Sequence, residues 1–338
     1  MRRILVLCAL AALLPSGAAR AAGGHVVAFY YPWYGTPALD GAYEHWSQNG
    51  HVPPDDIASA FYPQGGPYSS SDPRVVAHQM QEIKNAGIDE IAVSWWGRGS
   101  PEDGRLGAVV AAAHAAGIAV AVHLEPYAGR TVPGTVGDVA YLESTYGIRT
   151  FYVYRPFDFP VADWSAAAQA LHAGGATFFA QTALVGAAEA AKFDGVYTYD
   201  ILTYGGDKLA RLCKEAHHRH LLCAPSVGPG YNARRADGDP RVKLRHQGRT
   251  YDSMWRAAIA ANPDQVTITS FNEWHEGTQI EPAAPAGTHG SYGHRYLGYD
   301  GAYGLYGAAA GTAYLERTRY WSNVFRSTSP AQLKTRAG

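Results

Sequence analysis

Two glutamates three residues apart are the residues of this sequence best placed to do chemistry. Glu273 and Glu276 follow a short run of β-branched residues, Val266 to Thr269, and lie among aromatic and small polar side chains. A strand that delivers acids at its carboxyl end is a common way to build a site on an α/β barrel. Two nearby carboxyls suit acid/base work on a sugar, because apolar surroundings can keep one protonated while the other stays charged. The alternative is a surface loop with two solvated acids.

Aromatic and ionisable residues also recur where other predicted strands end. Tyr31 lies near the end of the first predicted strand, Trp96 at the end of the second and Tyr199 near the end of the sixth. The third strand ends in His123 and Glu125, which alternation places on one face. Because the carboxyl ends of parallel strands meet at one end of a barrel, we expect an apolar-walled pocket suited to a carbohydrate. The alternative is that His123 and Glu125 form a buried pair whose side chains hydrogen-bond each other and do not contact a ligand.

The elements that would position these residues alternate, strand followed by helix. Predicted strands cover residues 25–33, 88–96, 118–124, 149–155, 176–182, 195–200, 220–226 and 265–271. Predicted helices cover 74–86, 106–116, 162–172, 207–218 and 251–261, and 139–146 and 187–192 could be helical. Eight strands with such crossovers predict an α/β fold, a single-domain (β/α)8 TIM barrel over residues 22–338. A doubly wound open sheet is the alternative, although no G-x-G-x-x-G follows a strand.

Composition and missing motifs narrow the function. The chain of 338 residues has a formal net charge of −1, which argues against nucleic acid as the main partner. No H-E-x-x-H, zinc-finger spacing or G-x-S-x-G occurs, so a zinc protease and a serine hydrolase have no support. His217, His218 and His220 resemble a metal patch, but we interpret them as a solvated helix terminus.

The N-terminus has the pattern of a secretory signal peptide. Two arginines precede an apolar run from Ile4 to Pro15, and Ala19-Arg20-Ala21 fits an A-x-A cleavage site. We predict a signal peptide at residues 1–21, a secreted or periplasmic mature protein, and no membrane anchor. A retained amphipathic anchor is the alternative.

Two cysteines remain in the predicted mature chain. Cys213 and Cys223 could form a disulfide in an oxidising compartment. They could instead remain two buried thiols, because the facing geometry of two cysteines does not follow from their spacing.

Together these motifs resemble glycoside hydrolase family 99, the endo-α-1,2-mannosidases and endo-α-1,2-mannanases. The motifs that carry the resemblance span almost the whole mature chain: Phe29-Tyr30-Tyr31 with Trp33-Tyr34-Gly35, Asp40-Gly41-x-Tyr43-x-His45-Trp46, Ser94-Trp95-Trp96, His123-Leu124-Glu125-Pro126-Tyr127, Pro225-Ser226-Val227-Gly228-Pro229-Gly230-Tyr231 and Thr269-Ser270-Phe271-Asn272-Glu273-Trp274-His275-Glu276-Gly277-Thr278-Gln279-Ile280-Glu281. The resemblance implies a (β/α)8 barrel, no metal and no other cofactor. It also implies retaining endo-cleavage of α-1,2-mannosidic bonds in an α-mannan or mannose-containing oligosaccharide.

The resemblance assigns roles to individual residues. Glu276 would be the general acid that protonates the leaving oxygen and later deprotonates water. Glu273 would be the base that takes the proton of the mannose 2-hydroxyl, whose oxygen then attacks its own anomeric carbon and gives a 1,2-anhydro sugar. The predicted substrate-binding residues match positions lining the family's cleft or flank the acids, and they are Tyr31, Trp96, His123, Glu125, Tyr199, Asn272 and Trp274.

Two other functions stay open at this point. One is a carbohydrate-binding barrel without activity, which the presence of both glutamates disfavours. The other is a barrel glycosidase with a different linkage preference. The basic loop 232–248 does not align with the family pattern, so contacts on the leaving-group side are undefined. The sequence also leaves open the oligomeric state and the choice between glucosyl- and mannosyl-capped substrates.

Overall fold

The computed structural model describes residues 24–287, 290–291 and 294–328 of the chain. The predicted signal peptide at residues 1–21 lies outside the described residues and stays a prediction.

A parallel sheet forms the centre of the molecule. Its strands are β1 (His25–Tyr30), β2 (Glu90–Trp95), β3 (Ala119–Leu124), β4 (Thr150–Val153), β5 (Thr177–Gln181), β6 (Gly195–Tyr197), β7 (Leu222–Ala224), β8 (Ser226–Val227) and β11 (Gln265–Ile268). Each strand from β1 to β6 pairs with the next in the chain, and β1 also pairs with β11. Two small antiparallel pairs lie outside this sheet: β9 (Tyr231–Asn232) with β10 (Val242–Lys243), and β12 (Gly290–Ser291) with β13 (His294–Arg295).

The barrel closes through a strand that is divided in two. β7 pairs with β6, whereas β8 pairs with β11. Pro225 separates the two halves, and it has no N–H for a ladder bond. Its carbonyl still accepts a hydrogen bond from the backbone N–H of Thr267 at 3.1 Å. Counting β7 and β8 as one strand gives the eight predicted strands, so the (β/α)8 barrel is confirmed and the open sheet is excluded.

Helices follow the strands around the outside. They are α1 (Pro37–Asp40), α2 (Pro73–Asn85), α3 (Pro101–Ala116), α4 (Val132–Tyr146), α5 (Val161–Leu171), α6 (Val185–Ala190), α7 (Asp207–His218), α8 (Arg249–Ala260) and α9 (Ala313–Ser327). Side-chain caps fix three starts: Asp72 accepts from the N–H of Arg74, and Ser100 and Thr131 cap α3 and α4. The predicted helices are confirmed within a few residues at most ends. α9, which packs against α2, was not among the predicted helices.

Alternation along the strands separates two cores. Inside the barrel, Phe29 packs against Tyr152 and Tyr197 at ring-centroid distances of 5.8 and 5.7 Å. A larger core lies between the barrel and its helices. Trp95 belongs to this outer core, because it is fully buried and donates Nε1–H to Asp103 of α3 at 2.9 Å. Alternation therefore directs Ser94 and Trp96 toward the barrel axis.

Two long loops meet on the carboxyl side of the strands. The loop after β1 contributes Gln48, whose Nε2 donates to Asp237 in the loop after β8 at 2.7 Å. Arg235 of the same second loop pairs with Asp56 of the first. These contacts tie residues 48–56 to residues 235–237 and form one wall above the barrel.

The two cysteines form a disulfide. Cys213 of α7 and Cys223 of β7 are bonded, with their Cα atoms 5.2 Å apart. Of the alternatives left open by the sequence, the disulfide is the one found in the structure.

Two further features concern membranes and metals. Among the described residues, no helix has the length and apolar character needed to cross a membrane. Over the same residues, no group of three or more histidine, cysteine or acidic side chains could hold a metal ion. His217, part of the suspected patch, instead contacts Asp264 at 2.9 Å.

Candidate active site

The loop after β11 is folded back on itself and holds both glutamates. The backbone N–H of Ser270 donates to Thr278 O at 3.0 Å, and their hydroxyls are 2.9 Å apart. The Ser270 hydroxyl also accepts from the N–H of Glu273 at 2.8 Å. These bonds form within the loop and fix the backbone of Glu273 at the carboxyl end of the barrel.

Glu273 lies deep in this loop. Its side chain is 3% exposed, and Oε1 accepts from the backbone N–H of His275 at 3.0 Å. Burial, followed by the charge of Glu276, raises the pKa of Glu273 well above its usual value. A carboxylate with a raised pKa is a stronger base once it has ionised.

Glu276 is the more accessible of the pair. It is partly exposed, and its Oε2 accepts from the hydroxyl of Tyr199 at 3.3 Å. Burial of the carboxyl raises the pKa of Glu276 to about 7, although the Tyr199 hydrogen bond acts in the opposite direction. A carboxyl with this pKa can carry a proton at neutral pH and can reach a bound molecule.

Tyr31 and Tyr199 form a hydroxyl pair beside Glu276. Their hydroxyl oxygens are 2.5 Å apart, and both side chains are buried. Burial raises the pKa of both phenols well above 10, so both stay neutral donors. The backbone N–H of Tyr199 donates to the Ser226 hydroxyl at 2.9 Å, and this contact with β8 holds the tyrosine in place.

His123 and Glu125 belong to a connected polar network. The His123 Nδ1 and Glu125 Oε1 atoms are 2.9 Å apart, and His123 Nε2 lies 2.9 Å from the Tyr197 hydroxyl. Ser94 donates to Glu125 at 2.8 Å, and Trp96 Nε1–H donates to Ser94 at 3.1 Å. The His123 ring also stacks on Tyr199 at 5.5 Å between centroids. The network therefore connects Glu125 with the aromatic surroundings of Glu276.

Asn272 and Trp274 lie behind the glutamates. Both side chains are fully buried. Asn272 exchanges two hydrogen bonds with the backbone of Tyr31, accepting from its N–H at 2.7 Å and donating to its carbonyl at 3.0 Å. Trp274 donates Nε1–H to Glu281 at 2.7 Å. These contacts join the ends of β1 and β11, and direct substrate contact by either residue stays a prediction.

Three residues outside the predicted set contact the same loop. The hydroxyl of Tyr34 bridges Asn272 O and the N–H of Trp274, at 3.1 and 3.0 Å. Glu281 accepts from Trp274, Tyr68 and Gln79, and burial raises its pKa to about 7. Tyr34 and Glu281 lie in motifs that carry the family resemblance, but nothing in those motifs indicated these hydrogen bonds.

Arg245 is the third residue, and it lies in the basic loop 232–248, which does not align with the family pattern. Its guanidinium stacks on Phe61, Tyr299 and Tyr314 at 4.5 to 4.7 Å. Its Nη2 donates to the carbonyls of Gly277 and Gln279 at 3.0 and 2.8 Å. Nothing in its local sequence distinguishes it from the neighbouring arginines.

Comparisons with known proteins show which family and which relatives this chain is similar to. The model of Glycosyl hydrolase family 99 matches residues 22–327. The glycoprotein endo-alpha-1,2-mannosidase-like protein of Danio rerio is 33% identical over 354 residues, covering 88% of this chain and 77% of that protein. The glycoprotein endo-alpha-1,2-mannosidase of Xenopus laevis is 31% identical over 354 residues, covering 88% and 76%.

Solved structures agree with the sequence relatives. The GH99 endo-alpha-mannosidase from Bacteroides thetaiotaomicron aligns with a TM-score of 0.80 at 31% identity, covering 90% of this chain and 99% of that chain. Cyclic alpha-maltosyl-(1-->6)-maltose hydrolase from Arthrobacter globiformis aligns with a TM-score of 0.51 at 12% identity, over 93% of this chain and 85% of that chain. The second likeness concerns the fold alone.

Proposed function

The chain belongs to glycosyl hydrolase family 99, and from this we propose that it cleaves internal α-1,2-mannosidic bonds with retention of configuration. Membership makes it a glycoside hydrolase of the endo-α-mannosidase kind. The finer proposal concerns the bond, the stereochemistry and the substrate, an α-mannan or another mannose-containing oligosaccharide. The observation that carries it is the pair Glu273 and Glu276, one buried and one accessible, at the carboxyl end of the barrel.

Glu276 serves as the general acid of this reaction. Its pKa of about 7 allows it to donate a proton to the leaving glycosidic oxygen at neutral pH. Once ionised, the same carboxylate takes a proton from the water that completes hydrolysis. The hydroxyl of Tyr199, which stays protonated, donates to the carboxylate during this cycle.

Glu273 serves as the base toward the sugar itself. It removes the proton of the mannose 2-hydroxyl, and that oxygen forms a bond to the anomeric carbon while the glycosidic bond breaks. The axial 2-hydroxyl of mannose lies trans to an α leaving group, so attack from the back side is available. Water then attacks the anomeric carbon of the 1,2-anhydro sugar and gives its proton to Glu276. The bond from that carbon to the 2-oxygen breaks as protonated Glu273 returns its proton to the 2-oxygen, which gives net retention.

Substrate binding is assigned to the side chains around these acids. Tyr31, Trp96 and Tyr199 offer aromatic surface for sugar faces, and the network of His123 and Glu125 offers hydroxyl partners. Asn272 and Trp274 act in this proposal by holding the loop that carries the acids.

Export of the enzyme is part of the same proposal. The predicted signal peptide supports it, and so does the Cys213–Cys223 disulfide, because disulfides persist in oxidising compartments. N-terminal sequencing of the enzyme recovered from the medium or periplasm should give Ala22 as the first residue.

Product analysis is the experiment that tests the activity. Purified residues 22–338 are incubated, with EDTA present, with an α-mannan fragment that contains internal α-1,2 bonds. The expected result is early release of an α-configured oligosaccharide, whose anomeric form is monitored by NMR. Release of free mannose, a β-configured first product or binding without cleavage would each contradict the proposal. Loss of activity in EDTA that added metal restores would overturn the expectation of a metal-free reaction.

A further inference from the structure

A second cavity, with a positive lining, lies beside the active site. Its volume is about 580 Å³, and it sits between the loop after β6 and the loop after β8. Its charged and hydroxyl-bearing lining residues are Lys243, His246, Arg249, Thr250 and Ser253. None of the described residues that line it is acidic. A cavity with this lining favours an anion over a neutral sugar or a cation.

The basic side chains of this cavity differ in how many of their hydrogen-bond donors are already used. Lys243 donates one hydrogen bond to Ile201 O at 2.5 Å, which leaves two of its three donors. Arg249 is exposed and, within the described part of the chain, makes no side-chain hydrogen bond or ion pair. Other arginines nearby are paired, for example Arg317 with Asp252 and Arg241 with Asp239. The guanidinium of Arg249 is therefore free to bind a ligand in its forked geometry.

The backbone around Arg249 supports the same preference. α8 begins at Arg249 after Gly248, without a side-chain cap, so the positive end of its dipole lies at the cavity. The N–H groups of Arg249 and Thr250 already donate to the carbonyls of His246 and Arg245. Ser253 is one turn further along α8 and therefore on the same face as Arg249. Across the cavity, Gly206 precedes α7 with φ 54° and ψ −136°, a conformation that glycine adopts readily, and no side chain intrudes there.

The cavity is connected to the active site through the β9–β10 hairpin. Lys243, which lines the cavity, is paired with Tyr231 across the hairpin. The next residue in β9, Asn232, donates its backbone N–H to the carbonyl of Glu276 at 2.6 Å. The same hairpin therefore contacts both the cavity and the loop that carries Glu276.

We propose that this cavity is an accessory subsite for an anionic substituent, a phosphate or sulfate ester, on the glycan substrate. The two esters share a tetrahedral oxyanion that Arg249 and Lys243 would hold beside the positive end of the α8 dipole. The loop after the seventh strand of a barrel and a nearby helix N-terminus are a common location for such groups. The glycan part rests on the proposed function, whereas binding of the anion does not.

Anion binding is measured first, with inorganic phosphate and inorganic sulfate as separate probes. Both should bind the wild type, and Arg249→Gln should weaken binding about tenfold, as expected for loss of one charge-assisted contact. Arg149→Gln is the matched control, because Arg149 is exposed just before β4, at the opposite end of the barrel. Equal binding by wild type and Arg249→Gln would overturn the subsite.

Catalysis supplies the second test and separates the two proposals. An α-1,2-linked mannooligosaccharide is compared with the same molecule carrying a phosphate or a sulfate monoester. The charged forms should show a lower KM than the neutral one. Arg249→Gln should remove that preference while leaving kcat on the neutral substrate unchanged. An unchanged preference would refute the subsite, whereas failure to cleave the neutral substrate with Arg249-dependent phosphate binding intact would refute only the proposed function.

Discussion

At the residue scale, Glu273 and Glu276 differ in what surrounds them more than in their chemistry. Glu273 is enclosed by the loop that carries it, where the backbone N–H of His275 donates to its carboxyl and its own N–H donates to Ser270. Glu276 is partly exposed and has a phenol as its partner. Burial raises the pKa of both carboxyls, so the pair retains a proton near neutral pH.

Substitution of Glu276 should separate acid catalysis from the rest of the reaction. Glu276→Gln should lower kcat/KM on an α-1,2-mannooligosaccharide by about 10²- to 10⁴-fold, the usual contribution of a general acid. The same variant should retain most activity on an aryl glycoside with a very good leaving group. Glu189→Gln, on the outer helix α6, is the control. Equal losses on both substrates would contradict the acid role.

Substitution of Glu273 should behave differently. Glu273→Gln should abolish activity on both substrates, because formation of the 1,2-anhydro sugar needs the base whatever the leaving group. Binding of the uncleaved oligosaccharide should persist and can be measured by calorimetry. A variant with normal turnover would remove Glu273 from the mechanism.

The pH profile should report the coupled pair. Raising the pH through about 7 removes the proton of Glu276, so kcat/KM on the natural linkage should fall above that pH. Lowering the pH protonates Glu273 and should also reduce the rate, which gives a bell-shaped curve. In Glu276→Gln the like charge is gone, so the acid limb measured with the aryl substrate should move to lower pH. An acid limb that does not move would contradict the coupling.

At the scale of elements, the loop after β11 depends on other parts of the chain for its position. Its carbonyls at Gly277 and Gln279 accept from Arg245, which follows β10. Three aromatic rings enclose the guanidinium. The guanidinium, held between the rings, fixes the loop immediately after Glu276 through Nη2, so Arg245 is a positioning residue.

Replacement of Arg245 should therefore reduce turnover without removing any group that reacts. Arg245→Lys keeps the charge but loses the planar group that stacks on the rings, and we expect kcat to fall about 10- to 100-fold with little change in KM. Arg317→Lys is a matched control, since Arg317 also stacks on aromatic rings and binds Asp252. That control should lose thermal stability and keep its kcat. Equal kcat losses in the two variants would indicate a general structural effect.

At the scale of the whole molecule, the disulfide joins an outer helix to the barrel. It closes a short loop, because Cys213 and Cys223 are ten residues apart. Cys223 belongs to the body of β7, whereas the carboxyls proposed to be catalytic follow the end of β11. The crosslink should therefore affect stability and leave catalysis unchanged.

Reduction of the disulfide tests this separation. A loop of this length predicts a loss of about 2–3 kcal/mol in the free energy of unfolding. Thermal unfolding with and without reductant should show a lower Tm for the reduced enzyme, and kcat at room temperature should not change. Reductant should have no effect on the double variant Cys213→Ala/Cys223→Ala. An unchanged Tm in reduced wild type would contradict the predicted stabilisation.

Most strands and helices of this molecule can be predicted from the sequence alone, because each depends on a local hydrophobic pattern. Period-two and period-3.6 hydrophobic spacing predicted the eight strands and most helices, and alternation put His123 and Glu125 on one face. Even α9 has a helical repeat of buried residues, Tyr314, Thr318, Trp321 and Phe325. The carboxyl ends of parallel strands converge by geometry, so the set of predicted site residues was brought together.

Only the tertiary structure decided how those residues are used. Trp274 and Asn272 flank the acids in sequence but are fully buried behind them, because they bond to Glu281 and to the backbone of Tyr31. Arg245 and Arg249 look alike in a basic loop, yet one is enclosed by aromatic rings and the other is free at a cavity. The burial of a side chain and its hydrogen-bond partners depend on contacts between segments distant in the chain, so no local sequence pattern predicts them.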